Sequence, residues 1–238
     1  MVMLASNKPF PGERVFDGEM RLYWPAQPKE PDYGVLDHDH IRFVTKLALD
    51  QGFRVIVPDP EPNAGTNGEL WKRNTVEQVE ASSELYAAMA KTVRSEINDW
   101  IIKAGVPSDY ILMGFYGFPR TGRRVAQGRV SESDYAQIFS LEQKVMQYFN
   151  ALFPSRYMFK TDDAYNFETF KLAVKYNMDL CCDLGLPVFP YVKDEWINLT
   201  QWDRYLKICS QDASDLVYWD SNSSWPGISQ VKFEAMIP

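Results

Sequence analysis

The chain predicts an α/β fold, a (β/α) TIM-type barrel that is incomplete or distorted and has fewer than eight regular strands. Three observations predict it. From residue 38 onward helical and strand-like segments alternate, a pattern that right-handed crossovers turn into parallel strands. The stretch Tyr110–Tyr116 is continuously apolar, as expected of a strand covered on both faces. No glycine-rich phosphate loop follows any strand, so the open, dinucleotide-binding version of such a sheet loses support. Residues 1–37 are Pro-rich and irregular, with at most two strands, near Val2–Leu4 and Met20–Trp24. They form an N-terminal segment lending one or two strands to the barrel, and residues 38–238 form the barrel domain. So short a front part points to an incomplete barrel or to a fragment of a longer chain.

The elements follow in order. Asp39 to Gln51 carries Ile41, Val44, Leu47 and Ala48 at helical spacing, and Gly52 closes it. A strand over Phe53–Val57 comes next, ended by prolines at 58, 60 and 62, which remove ladder donors. Glu77 to Ala104 reads as a long amphipathic helix stopped by Gly105 and Pro107. After the Tyr110–Tyr116 strand comes a Gly/Arg-rich loop, then a helix from Ser131, its cap, to Leu152. Ser155–Phe159, Pro187–Val192 and Leu216–Trp219 read as strands, and Tyr165–Leu184, Gln201–Ser210 and Ile228–Met236 as helices.

With 238 residues, 45% of them hydrophobic and 24% charged, the chain can bury a substantial core. Its net charge of −7 disfavours nucleic acid as a partner. No apolar run reaches the ~18 residues of a membrane span, so no membrane partner is expected. No basic segment followed by an apolar run marks a signal peptide at Met1–Pro11. Three cysteines, with Cys181 and Cys182 adjacent and Cys209 alone, make no disulfide framework and read as buried thiols. His38 and His40 flank Asp39, but with Asp37 they read as a helix start rather than a metal site. No cysteine or histidine spacing matches zinc, and no metal or other cofactor is expected.

The chemistry lies at the strand ends. In Asp59-Pro60-Glu61 two carboxylates, two residues apart on one strand terminus, project to the same side. Each raises the cost of ionising the other, which can keep one acid protonated while its neighbour stays charged. A glycosidase needs that division of labour. The later strands end in Tyr116, Tyr157, Tyr191 and Trp219. In a barrel the chemistry collects at this rim, so a carboxylate pair facing three tyrosines and a tryptophan describes a sugar-binding cleft.

These elements in this order resemble the hyaluronidase family of glycoside hydrolases, over residues 30 to about 220. The resemblance rests on Asp59-Pro60-Glu61, Leu70-Trp71-Lys72-Arg73-Asn74, Gly114-Phe115-Tyr116-Gly117-Phe118-Pro119, Pro154-Ser155-Arg156-Tyr157, Pro187 to Tyr191 and Trp219. It implies an endo-acting hydrolase of N-acetylhexosamine polysaccharides such as hyaluronan or chondroitin, working outside the cell. It implies Glu61 as proton donor, Asp59 as the carboxylate orienting the substrate acetamide, and Tyr116, Tyr157, Tyr191, Trp219 and Trp71 as subsite lining. The chain departs from the family in its shorter first third, its lack of the usual cysteines and the absence of a visible leader.

Arg120, Arg123, Arg124 and Arg129 concentrate positive charge in the loop after Phe118. There they suit the uronate carboxylates of an anionic polysaccharide, or form a solvated turn-rich loop. Two other functions compete. One is a catalytically inactive carbohydrate-binding or structural module of a larger assembly. The other is a chitinase-like hydrolase, ranked lower because Arg54 and Val57 stand where that signature places further acids.

Overall fold

The computed structural model describes residues 2–5, 14–19, 22–23, 35–59, 76–119, 122–158, 166–193, 197 and 199–219. The expected closing helix over Ile228–Met236 lies outside them. The fold is mixed α/β and mostly helical, with short strands. Six strands form one sheet: β1 (Val2–Ala5), β2 (Arg14–Glu19), β5 (Val55–Asp59), β6 (Leu112–Met113), β7 (Tyr191–Val192) and β8 (Leu216–Trp219). Their order is β6-β5-β2-β1-β8-β7, and every pairing in it is parallel. A separate antiparallel pair joins β3 (Leu22–Tyr23) to β4 (Val35–Leu36). Of the expected strand Met20–Trp24, the described residues Leu22–Tyr23 belong to this small ladder, while β2 takes the place in the parallel sheet.

The sheet's two outer strands are linked by isolated parallel bridges. Tyr116 pairs with Phe153, Leu152 with Val188, and Ser155 with Tyr191. The expected strand at 155–159 thus sits about three residues earlier and is reduced to these bridges. A complete eight-stranded barrel is not formed by the described residues.

Among the described residues there are six helices: α1 (His38–Asp50), α2 (Val76–Ala104), α3 (Arg123–Ala126), α4 (Glu132–Met146), α5 (Phe167–Leu184) and α6 (Leu199–Cys209). Their ends obey capping chemistry. Asp37 accepts the amide of His40 at 2.9 Å and starts α1, with His38 Nδ1 at 2.8 Å from the Thr92 hydroxyl of α2. Ser131 caps α4 through the Asp134 amide, and Asn166 caps α5 through the amides of Glu168 and Thr169. Gly185 ends α5 in the left-handed region, at φ 64°. Several boundaries differ from expectation: β5 runs through Pro58 to Asp59, and the strands expected over Tyr110–Tyr116 and Pro187–Val192 shorten to Leu112–Met113 and Tyr191–Val192. The arginine-rich loop contains α3, and α4 stops at Met146 instead of Leu152. There the Asn150 side chain takes over, accepting the Met113 amide at 2.7 Å and donating to the Ile111 carbonyl at 2.9 Å. Those bonds draw residues 151–153 alongside β6, so the apolar run that looks like more helix becomes strand-like.

Alternation along the strands separates two of the core clusters, while a third gathers Phe170, Val174, Trp202 and Tyr205 of α5 and α6 with Val192. Ile56, Met113, Phe115, Leu152 and Val188 pack with the helices, among them Ile41, Met89, Val93 and Val145. The opposite parity, Val55, Val57, Ala151, Phe153, Phe189, Tyr191 and Val217, forms a cluster to which, among the described residues, no helix residue contributes. Tyr157, Leu112 and Tyr116 complete that cluster.

Candidate functional site

Asp59 is the last residue of β5 and continues the Val55, Val57 series. Successive residues of that parity point one way, so Asp59 stands at the rim of the strand-only cluster, half-buried. The Tyr116 amide donates to the Pro58 carbonyl at 3.1 Å, which in a parallel ladder sets Tyr116 level with Asp59. On the other side, Glu19 of β2 is the backbone partner of Asp59.

The motif around Tyr116 folds as it does for steric reasons. A Cβ on Gly114 would collide with the Ala151 carbonyl and the Phe153 ring, so only glycine lets β6 and residues 151–153 approach this closely. Phe115 and Phe118 bury into the helix layer, which leaves Tyr116 on the other face. Gly117, at φ 78°, then turns the chain away.

Tyr116 meets two other rim tyrosines. Its ring lies 5.0 Å from that of Tyr191, edge to face, and 6.1 Å from that of Tyr157. Its hydroxyl donates to Ser155 Oγ at 3.2 Å. Phe153 and Phe189 stack beside them at 5.6 Å. Tyr191 is fully buried and Tyr157 is 8% exposed, so Tyr116 is the most open of the three. The structure therefore brings together Asp59, Tyr116, Tyr157 and Tyr191. Trp219 ends β8, two residues beyond the buried Val217, with its backbone paired to Ala5. Glu61, Trp71 and Arg120 lie outside the described residues. Arg123 opens α3, half-buried rather than in an open loop, while Arg129 is exposed.

Sequence reasoning gave no role to four residues: Ser155 and Arg156, quoted only within the Pro154–Tyr157 motif, and Asn177 and Asp212, which bond to Arg156. Arg156 is completely buried and forms an ion pair with Asp212. A charged residue inside the mostly apolar stretch from Leu152 to Met158 is the signal that could have flagged it. The cysteines divide. Cys181 and Cys209 are buried, and burial pushes each thiol up to about 12, against a smaller opposing pull from Arg156. Cys182 is exposed, which corrects the expectation that all three thiols are buried.

Among the described residues, no group of three or more His, Cys, Asp or Glu side chains could hold a metal ion. No described helix is long and apolar enough to cross a membrane. The chain matches no protein-family model, and no curated protein matches it.

Proposed function

We propose that this protein is an endo-acting glycoside hydrolase that cleaves N-acetylhexosamine polysaccharides of the hyaluronan or chondroitin kind. The observation that carries the reading is the meeting of Asp59 with Tyr116, Tyr157 and Tyr191 at one set of parallel strand ends. The fold reading that goes with it is an incomplete (β/α) barrel. In its favour, the bridges at 116–153, 152–188 and 155–191 carry parallel pairing from one sheet edge round to the other. A cluster of strand residues and the segments bridged to them is also what a barrel interior would hold.

The chemistry is substrate-assisted, an exception to the scheme in which two enzyme carboxylates do all the work. Glu61 gives its proton to the glycosidic oxygen as the substrate's acetamide oxygen attacks the anomeric carbon and the glycosidic bond breaks. Asp59 accepts the acetamide N–H and offsets the positive charge developing on the resulting ring. Its charge also raises the proton affinity of Glu61, which a general acid requires. Water then attacks the anomeric carbon, giving its proton back to Glu61. The tyrosines supply flat apolar faces for sugar rings and a hydroxyl edge for their oxygens. The arginines about residues 120–129 would meet uronate carboxylates.

One observation favours a second reading, an inactive carbohydrate-binding or structural module: Tyr191 and Tyr157 are almost sealed from solvent. Reducing-end release from hyaluronan, chondroitin and chitin oligomers, measured side by side, separates the readings. Release from hyaluronan or chondroitin supports the hydrolase. Release from chitin alone moves the assignment to chitinase-like chemistry, and binding without release moves it to the inactive module.

A further inference from the structure

We infer that the buried cluster of Arg156, Asn177 and Asp212 is the device that sets the spacing of the rim tyrosines, which makes Asn177 and Arg156 positioning residues. As a statement about catalysis it rests on the hydrolase reading; as a statement about the tyrosines it does not.

Arg156 lies between Ser155, which accepts from Tyr116, and Tyr157, which packs on it. Its side chain turns the other way. Nε and Nη2 donate to Asn177 Oδ1 at 3.1 and 2.9 Å. Nη1 donates to the Cys209 carbonyl at 2.6 Å and to Asp212, and Nη2 reaches the second Asp212 oxygen at 2.8 Å. The backbone is fixed as well. The Arg156 amide donates to the Tyr191 carbonyl at 3.0 Å, and its own carbonyl accepts the Tyr205 hydroxyl at 2.8 Å. The residue between two rim contributors is thus held along its side chain and at both peptide groups.

Asn177 extends the hold to the next loop. Its amide nitrogen donates to the Pro119 carbonyl at 2.9 Å, three residues beyond Tyr116. One turn earlier on α5, the Ala173 carbonyl accepts the Gly122 amide at 3.2 Å, and Gly122 packs on Tyr176 so closely that a Cβ would clash. A single carboxamide therefore joins the segment carrying Tyr116 to the segment carrying Tyr157. A buried ion pair adds little net stability over apolar residues of the same shape. What a forked guanidinium adds over a greasy side chain is direction. In this fold that direction fixes the 6.1 Å ring separation at the rim.

The test is Asn177→Ala in protein labelled with 3-fluorotyrosine, the Tyr116 and Tyr157 resonances being assigned by Phe substitution and Tyr110 serving as a distant control. The inference predicts that the Tyr116 and Tyr157 resonances shift or broaden while Tyr110 stays put. It also predicts a kcat on the cleaved polysaccharide lower by about tenfold or more per folded molecule, with KM little changed, as for misplaced contact groups. Unmoved rim resonances, or an unmoved kcat in an active preparation, overturn it, whatever the loss in Tm. If Asn177→Ala does not fold, Asn177→Gln, which keeps the amide one methylene further out, is measured instead and judged by the same two outcomes. Wild-type protein that releases no reducing ends ends the hydrolase reading, and the fluorine spectra still decide the positioning claim.

Discussion

Asp59 reaches the rim because of parity and because of proline. Two residues beyond Val57, it inherits an inward direction, and the Pro58 carbonyl accepts from Tyr116 to fix its height. Its height depends on a partner from another strand, but the parity is local to β5, which is why Asp59 was legible in the sequence. Arg156 was not, because its partners Asn177 and Asp212 lie 21 and 56 residues away. Gly114 offers a sharp check at this scale. Gly114→Ala should destabilise the protein by several kcal/mol, on the order of the cost of overpacking, because the new methyl meets backbone and not a yielding side chain. Thermal unfolding would show it. The thiols provide a second check. Cys181 and Cys209 stay protonated in the fold to about pH 12, whereas an unfolded thiol ionises near the ordinary 9.0. The folded-state values are the higher ones, so their contribution to stability is complete below about pH 9 and is lost as pH rises toward 12. Denaturant midpoints should fall across that window. At neutral pH a disulfide reagent should titrate one thiol, Cys182, in the native protein and three after unfolding.

Helix ends were easier to read than strands. Asp37, Ser131 and Gly185 cap or close their helices as their side chains dictate, since a cap is a contact within four residues. The strands are short, and tertiary pairing decides them. Nothing in Arg14–Glu19 alternates cleanly, yet β2 pairs with both β1 and β5. The run Ala151-Leu152-Phe153 continues the apolar pattern of α4, but the Asn150 side chain, reaching Met113 and Ile111, and backbone bonds to Met113, Phe118 and Pro187 make it a strand-like segment. A local prediction belongs to this scale. Asp37→Ala removes the acceptor for the His40 amide and should cost about 1 kcal/mol, typical of a lost N-cap. Urea unfolding would register it as a lower midpoint at unchanged slope.

The molecule as a whole carries a net charge of −7, so an anionic polysaccharide must be met by local positive charge. Arg123 at the start of α3 and the exposed Arg129 lie on the segment that follows the Tyr116 turn. If they bind uronates, affinity for hyaluronan should fall steeply as salt rises from about 0.1 to 1 M, where the screening length drops from about 10 to 3 Å. Affinity for neutral chitin oligomers should barely change, and binding titrations at the two salt concentrations compare them. The central claim concerns one acid working beside Asp59, and a single substitution tests it. Glu61→Gln, with its circular dichroism and Tm matching the wild type, is compared with wild type for reducing-end release from hyaluronan and chondroitin. Loss of general acid–base catalysis predicts a rate lower by about 10²–10⁴-fold. A Glu61→Gln protein that cleaves as fast as the wild type would contradict the account.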